Sequence, residues 1–272
     1  MSAQTTTVGH GLAVAAATPE VAEPARALAN RLGLTLVEKP DPQITPHLLL
    51  LTAQRLELHQ LGVGAPGPVY VELVGGAMGY RRKHGGGRKQ ALARAVGIKG
   101  HHRPTIIDAT AGLGRDAFIL AELGCRVQLI ERSPVIHALL ADGLQRAAAA
   151  DPAIAALIAE RISLLAGDAT DLLARPDFPA AEVIYLDPMF PCREKSSLVK
   201  KEMRLLRLVA GDDPDADLLL ARALPKAQLR VVVKRPRVAP PLPGPVRPNF
   251  SLTGKSSRFD IYLLPPPNGE VC

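Results

Sequence analysis

Two glycines and an acidic residue stand at the spacing of a nucleotide-binding turn. Gly112 and Gly114 lie between an apolar run and a helical stretch, and Glu131 follows Gly112 after 19 residues. Glycines in such a turn let the backbone approach a ligand closely, and the first helical turn offers N–H groups that have no partner within the helix. An acidic residue at the end of the next strand accepts hydrogen bonds from ribose hydroxyls. The spacing predicts a dinucleotide or S-adenosylmethionine site; the alternative is a tight turn and a solvated glutamate.

The residue that ends the first strand separates these two cofactors. The run from Gly112 to Ala117 also satisfies the glycine fingerprint of dinucleotide-binding enzymes. A carboxylate at Asp108 would repel a pyrophosphate, whereas it would attract the sulfonium and ammonium groups of S-adenosylmethionine. Asp108 therefore favours the methyl donor, and an Asp that only caps the turn is the alternative. A nicotinamide-dependent oxidoreductase stays as the second enzyme hypothesis.

The run Tyr185–Pro191 contains Asp187, Pro188 and Phe190 directly after a predicted strand. The exocyclic nitrogen of a nucleic acid base is a weak nucleophile because its lone pair is delocalised into the ring. Asp187 and the Pro188 carbonyl suit the two amine hydrogens, and Phe190 suits stacking on the base, so catalysis would come from orientation and electrostatics. The base would have to leave its helix. This run predicts methylation of a base amine; a rigid proline turn with a core phenylalanine is the alternative.

Positive charge is concentrated in two stretches that contain no acidic residue, 73–107 with eight Lys and Arg and 218–259 with nine. Segregated charge of this kind indicates a polyanionic partner, because each neutralised phosphate releases counterions. With no Trp, four Tyr and five Phe, the chain has little for stacking successive bases. A solvated basic face and a non-catalytic RNA-binding or ribosome-assembly factor are the alternatives. The expected RNA-binding residues are Arg81, Arg82, Lys83, Lys195, Lys200, Lys201, Lys234 and Arg235.

The pattern of apolar residues changes near residue 103. Residues 104–272 alternate strand-like runs with helical stretches, which predicts a parallel sheet with crossover helices. We expect a small N-terminal α+β domain (1–75), a basic glycine-rich linker (76–103) and this α/β domain. The expected strands are Leu34–Val37, His47–Thr52, Val69–Val74, Thr105–Ile107, Val127–Ile130, Ile162–Leu165, Val183–Leu186, Arg230–Val233 and Arg258–Leu264. The expected helices are Val21–Leu32, Arg115–Leu123, Pro134–Ala150, Leu198–Val209 and Asp215–Ala223.

Composition excludes several classes of protein. The chain has 272 residues, of which 47% are apolar, and a formal net charge of +7, as in an ordinary globular protein rather than a disordered or fibrous one. Three widely separated cysteines without a CxxC motif predict neither a disulfide framework nor a metal site. No signal peptide or membrane segment is expected, so the sequence predicts a cytoplasmic protein.

Several long runs resemble the bacterial ribosomal small subunit methyltransferase J family. They are DATAGLGRDAF (108–118), LIER (129–132), YLDPMFP (185–191), LVKKEMR (198–204), VVVKRP (231–236) and RFDIY (258–262). The resemblance covers most of residues 75–264. It implies a Rossmann-like S-adenosylmethionine-dependent methyltransferase sheet and methylation of a guanine N2 in 16S rRNA, at nucleotide 1516. The expected partner is 16S rRNA, either free or in the small ribosomal subunit.

The resemblance also implies cofactor contacts at particular positions. They fall on Arg115, Asp116, Glu131, Arg132, Asp168, Ala169 and Asp187. Asp168 and Ala169 stand where two small hydroxyl residues are expected in relatives. An Asp after the third strand also suits an adenine amine, and a simple loop Asp is the alternative. The resemblance assigns no chemistry to the first 70 residues.

Overall fold

The computed structural model describes residues 11–76, 90–189, 199–211, 215–254 and 257–265. The strands are β1 Leu12–Ala16, β2 Thr35–Leu36, β3 His47–Leu51, β4 Leu56–Gln60, β5 Ile106–Asp108, β6 Val127–Glu131, β7 Ile162–Ala166, β8 Ala181–Leu186, β9 Ala227–Pro236, β10 Phe250–Thr253 and β11 Ser257–Leu263. The α-helices are α1 Ala22–Leu32, α2 Ala91–Ala95, α3 Arg115–Glu122, α4 Pro134–Ala150, α5 Pro152–Arg161, α6 Ala169–Ala174, α7 Val199–Ala210 and α8 Ala216–Ala223. None of the helices described is long and apolar enough to cross a bilayer.

The chain divides into two compact units, and the first is assembled from three separate stretches. It takes in Met1–Val71, Ser133–Arg146 and Arg193–Gly211, and the second unit takes in the rest. Within the first unit α4 lies close to Val71: the Arg146 guanidinium donates to the Val71 carbonyl, and a side chain at Gly143 would collide with Val71. The division into domains at residues 75 and 103 stays a prediction.

The sheet of the first unit has the order β2-β1-β3-β4. Strands β1, β2 and β3 are parallel, and β4 is antiparallel to β3. Helix α1 buries one apolar face that includes Leu28 and Leu32, and it ends at Gly33, whose φ of +64° is the left-handed conformation common after a helix.

One expected strand of this region, Val69–Val74, is wrong. Val69 forms a single antiparallel bridge with Leu58. Beyond it, the Glu72 carboxylate accepts hydrogen bonds from the N–H groups of Val74 at 3.0 Å and Gly75 at 2.7 Å. These local hydrogen bonds turn the chain and take up donors that a sheet ladder would need.

The sheet of the second unit has seven strands in the order β10-β11-β9-β8-β5-β6-β7. The five strands from β7 to β9 are parallel, and β11 and β10 add an antiparallel pair at one edge. Val183–Leu186 and Val231–Val233 are buried throughout, as expected for parallel strands that helices cover on both faces. The predicted parallel sheet is confirmed.

The strand order defines where a ligand is expected. Counted along the chain, the parallel strands run 3-2-1-4-5, so the order reverses between the first strand, β5, and the fourth, β8. Ligands of open α/β sheets bind outside the carboxyl ends of the strands at this switch point. Asp108 ends β5 and Asp187 directly follows β8.

Candidate active site

The register of three neighbouring strands brings the site residues to one edge of the sheet. Asp108 pairs with Tyr185 between β5 and β8, and Leu186 pairs with Val233 between β8 and β9. The next residues along β8 and β9 are Asp187 and Lys234. Two carboxylates and an ammonium therefore meet at the switch point, because parallel strands end at the same edge.

The glycine turn lies where the sequence predicts it. Gly112 and Gly114 have φ angles of +53° and +70°, which favour glycine, and α3 begins at the next residue, Arg115. The Ala111 N–H donates to the Ile130 carbonyl at 3.1 Å, so the turn is held against β6. The exposed Arg115 stands at the start of the helix.

Glu131 contacts this turn directly. Its Oε2 accepts a hydrogen bond from the Gly112 N–H at 2.8 Å, and the residue is 7% exposed. The structure thus brings together the two features whose spacing suggested an adenosine-binding turn. A carboxylate beside a glycine turn also fits the ribose of a nucleoside ligand.

Asp108 is buried, and it does not carry the negative charge that the sequence predicts for it. Its Oδ1 accepts from the Thr110 N–H at 3.1 Å. Burial raises the pKa of Asp108 to about 8; the nearby Asp116 and Asp187 carboxylates add to the rise, and the Thr110 N–H and Lys234 oppose it. At neutral pH this carboxyl largely retains its proton. The negative charge available to a cationic ligand therefore comes from Asp116 and Asp187.

Lys234 joins these two carboxylates. Its Nζ donates to Asp116 Oδ2 and to Asp187 Oδ2, each at 2.8 Å. The Tyr185 hydroxyl donates to Asp116 Oδ2 at 2.8 Å from a fully buried ring. Burial tends to lower the pKa of Lys234, but Asp187 and Asp116 outweigh it and raise that pKa. Two carboxylates and one ammonium leave one net negative charge, which suits a ligand with net positive charge.

The backbone of Asp187 is also fixed. Its N–H donates to Thr110 Oγ1 at 2.6 Å, which ties the residue after β8 to the turn after β5. Pro188 is buried. Phe190, predicted to stack on the base, lies outside the described residues.

Two of the remaining cofactor positions, Arg132 and Asp168, belong to a second polar group. Arg132 Nη1 lies 3.2 Å from Asp215 Oδ1 and 4.0 Å from Asp168 Oδ2. Asp168 caps α6, because its Oδ1 accepts from the Thr170 N–H at 2.7 Å. Ala169 is buried in the core of the second unit. Asp168 is therefore a helix cap, which the sequence analysis did not predict.

The structure gives Lys234 and Arg235 positions unlike the exposed basic surface that the charge pattern suggested. Lys234 is held between carboxylates, and Arg235 is 4% exposed and donates to the Pro240 carbonyl at 3.1 and 3.2 Å. These contacts occupy both side chains inside the protein. Lys200 and Lys201 are on α7. The residues Arg81, Arg82, Lys83 and Lys195, and the side chains of Lys200 and Lys201, lie outside the described part.

The sequence did not predict the contacts that three residues make in the site. These are the two ion pairs of Lys234 and the hydrogen bonds of the Thr110 and Tyr185 hydroxyls. Lys234 had a detectable signal in the sequence, because it directly follows the apolar run Val231–Val233 of a predicted strand. Among the described residues, no group of three or more His, Cys, Asp or Glu is placed to hold a metal ion.

Comparison with known proteins gives a family for this arrangement. The family model described as "Putative SAM-dependent methyltransferase" matches residues 27–264. The ribosomal RNA small subunit methyltransferase J of Nitrosococcus oceani is 57% identical over 246 residues, which cover 88% of this chain and 93% of the relative. The protein of the same name from Pseudomonas aeruginosa is 53% identical over 251 residues, which cover 92% of this chain and 94% of the relative.

The chain belongs to the ribosomal RNA small subunit methyltransferase J family. A crystal structure of a SAM-dependent methyltransferase from Neisseria gonorrhoeae agrees, with a TM-score of 0.70 at 35% identity over 94% of this chain and 97% of that one. The resemblance seen in the sequence is confirmed, as are the Rossmann-like methyltransferase fold and S-adenosylmethionine as the cofactor. This methyltransferase J family member is an enzyme, so the oxidoreductase and the non-catalytic binding factor are set aside.

The donor set fits the cofactor of this family. The glycine turn and Glu131 suit an adenosine group, and the net negative charge at Asp116, Lys234 and Asp187 suits a molecule with a sulfonium. A pyrophosphate would meet the same charge unfavourably. The charge of the site thus favours the methyl donor, and this charge lies on Asp116 and Asp187 rather than on Asp108.

Proposed function

We propose that this chain transfers the methyl group of S-adenosylmethionine to the exocyclic N2 of a guanine in 16S rRNA, at nucleotide 1516 as the family resemblance implies. The observation that carries the proposal is the fixed Asp187-Pro188 pair at the carboxyl end of β8, beside the glycine turn. The relatives that match over about nine-tenths of the chain are named for small subunit rRNA. The substrate is 16S rRNA or the small ribosomal subunit, and the enzyme acts in the cytoplasm.

The cofactor is held by residues of the carboxyl edge. Glu131 accepts hydrogen bonds from the ribose hydroxyls, and the turn of Gly112 and Gly114 lets the backbone come close. Asp116 and Asp187 supply the negative charge for the cationic part of the cofactor, and Asp108 lies beside them as a largely protonated carboxyl. The remaining positions that the resemblance assigns to the cofactor are Arg115, Arg132, Asp168 and Ala169, of which Asp168 caps the start of α6.

S-adenosylmethionine supplies an electrophilic methyl group, and the protein orients the amine. Asp187 accepts one N2 hydrogen and the Pro188 carbonyl accepts the other, which turns the lone pair toward the methyl carbon. Phe190 stacks on the flipped guanine. The N2–carbon bond forms as the sulfur–carbon bond breaks, and one N2 proton then leaves to solvent. Asp187 stabilises the positive charge that develops on N2.

Mass spectrometry of 16S rRNA tests this proposal. A strain that lacks the gene should lose one methyl group from a single guanine, and the wild-type gene should restore it. Purified protein with labelled S-adenosylmethionine should methylate that guanine in naked 16S rRNA or in small subunits from the deletion strain. An unchanged methylation map in the deletion strain, or a methyl group found on another base, would contradict the proposal.

A further inference from the structure

The ammonium of Lys234 occupies a costly position. Only 28% of its side chain is exposed, and removing an ammonium from water is unfavourable unless close partners compensate. Both partners lie at 2.8 Å, and the pKa of Lys234 is raised by them despite burial. Lys234 is therefore a permanent positive charge at the carboxyl edge of the sheet.

Lys234 is linked through Asp116 to a buried tyrosine. Its partner Asp116 accepts the Tyr185 hydroxyl on the same oxygen that Lys234 contacts, at 2.8 Å in both cases. Tyr185 is 1% exposed, so its side chain is fully buried. A chain of hydrogen bonds thus runs from the buried tyrosine through Asp116 to Lys234, and it reaches Asp187 last.

Asp187 is the member of this chain that faces outward. Its side chain is 39% exposed, compared with 11% for Asp116. One of its oxygens is bound to Lys234, and its backbone is bound separately to Thr110. The side chain and the backbone of Asp187 are thus positioned by different neighbours. A carboxylate next to an ammonium also resists protonation.

We propose that Lys234 is a positioning residue for methyl transfer, which orients the Asp187 carboxylate and keeps it ionised while Asp187 holds the substrate amine. This rests on the proposed function for the identity of the amine. Because a carboxylate paired with an ammonium is ionised and only weakly basic, it stabilises the positive charge on N2 through the transition state without first removing the proton. The N2 proton leaves to solvent after the new bond has formed.

The effect on Asp187 is measurable without any RNA. Carbon-13 NMR of aspartate carboxyl groups, assigned with Asp187→Asn, follows protonation of Asp187 in wild type and in Lys234→Met. The midpoint should move upward by at least one pH unit in Lys234→Met, because an opposite charge is lost. Lys226→Met is the control: the Lys226 ammonium also makes several hydrogen bonds, but to backbone carbonyls, at 2.6 Å to Arg175 and 2.9 Å to Phe178. Its loss should lower Tm without moving the midpoint.

Kinetics separate positioning from a structural role. In Lys234→Met, kcat on 16S rRNA should fall about 10- to 100-fold and the acid limb of its pH profile should move to higher pH, as expected for a lost electrostatic contribution. The Kd for S-adenosylmethionine should stay within about threefold or tighten, since a positive charge beside a cationic ligand is gone. Lys234→Arg should recover part of kcat.

Different failures give different results. A midpoint for Asp187 that does not move in Lys234→Met overturns the proposal. A loss of kcat in Lys234→Met that is accompanied by an equal loss of cofactor affinity and by a fall in Tm also overturns it. A wild-type protein that transfers no methyl group to 16S rRNA overturns the proposed function instead. In that case the NMR midpoint still decides whether Lys234 keeps Asp187 ionised.

Discussion

The Glu131 carboxylate accepts a hydrogen bond from the Gly112 N–H at 2.8 Å, so one side chain supports the glycine turn and also stands where the ribose is expected. Glu131→Ala should weaken S-adenosylmethionine binding by about 1.5–3 kcal/mol, the usual loss for hydrogen bonds to a charged group. Glu131→Gln keeps an oxygen for Gly112 and should lose less. Calorimetry with S-adenosylmethionine and S-adenosylhomocysteine measures both changes.

Glu182 provides the control for this experiment. Its carboxylate also accepts a hydrogen bond from a backbone N–H, that of Thr105, at 2.7 Å. This contact lies at the amino ends of the parallel strands, away from the glycine turn. Glu182→Gln should leave cofactor affinity unchanged. Unchanged affinity in Glu131→Ala would remove Glu131 from the cofactor site.

Asp187 is expected to act through orientation and charge together. Asp187→Ala should lower the rate of methyl transfer by about 10²–10³, comparable to the loss of one preorganised hydrogen bond in a transition state. Asp187→Asn keeps an acceptor oxygen without the negative charge and should fall between alanine and wild type. Single-turnover methyl transfer to 16S rRNA at saturating cofactor measures the step.

Asp142→Asn is the matched control, because Asp142 also pairs with a cation, Arg146, at 2.8 Å. It should retain the wild-type rate. Wild-type rates in Asp187→Ala would place the chemistry elsewhere. An equally complete loss in the Ala and Asn variants would mean that the negative charge alone is essential.

Asp108 should make the stability of the protein depend on pH. Its pKa rises from an ordinary 3.8 to about 8 through burial, with contributions from Asp116 and Asp187. Between about pH 4 and pH 8 the folded protein retains a proton on Asp108 that the unfolded chain has lost. The free energy of unfolding should therefore be highest below about pH 4 and should fall as pH rises toward 8. The slope is at most about 1.4 kcal/mol per pH unit for one group.

Urea unfolding of the ligand-free protein from pH 5 to pH 8 measures this effect. Asp108→Asn cannot ionise and keeps an oxygen for the Thr110 N–H, so its stability should fall less with pH. The difference in unfolding free energy between the variant and wild type should grow in favour of the variant as pH rises. Parallel pH profiles for the two proteins would show that Asp108 ionises normally.

The basic stretch that precedes the sheet should contribute to RNA affinity through phosphate contacts. Arg82→Gln should lower affinity and reduce the slope of log K against log salt by about 0.7–1 for one lost contact. Arg31→Gln, on the exposed side of α1, provides a control that removes the same charge elsewhere. Filter binding with 16S rRNA over a range of salt concentrations measures both. Equal slopes for the two variants would show that Arg82 does not contact the RNA.

The parallel strands of the second unit were predictable because they are continuous apolar runs. The predicted Val183–Leu186 misses only the first two residues of β8, whereas the predicted Arg230–Val233 covers the middle four of the ten residues of β9. Strand β10 escaped prediction because Phe250–Thr253 is short and mostly exposed at a sheet edge, where no face has to be apolar. Helix α5 also escaped, although Asp151 caps it by accepting the Ala153 N–H at 2.8 Å and Pro152 starts it.

The sequence pattern could predict which site residues lie at the ends of strands, but not which side chains contact each other. Asp108 and Asp187 end strands that the pattern identifies, so their common edge follows from a parallel sheet. The pairing of Lys234 with Asp116 depends on strand order, on register and on a side-chain conformation, none of which periodicity reveals. Composition counts the charge of Arg235 but does not show that its guanidinium is buried and donates to the Pro240 carbonyl.

The composition of the first unit from three stretches affects how the chain folds during synthesis. Its first 71 residues leave the ribosome early, but their partners in Ser133–Arg146 and Arg193–Gly211 emerge much later. The sheet of the second unit is likewise incomplete until β9 has been synthesised, because β9 carries Lys234 and lies between β8 and β11. Contacts between residues so far apart in sequence form slowly, because a long loop must close first. The nascent chain would therefore expose apolar strands until β9 has been synthesised, and its active site would be completed only then.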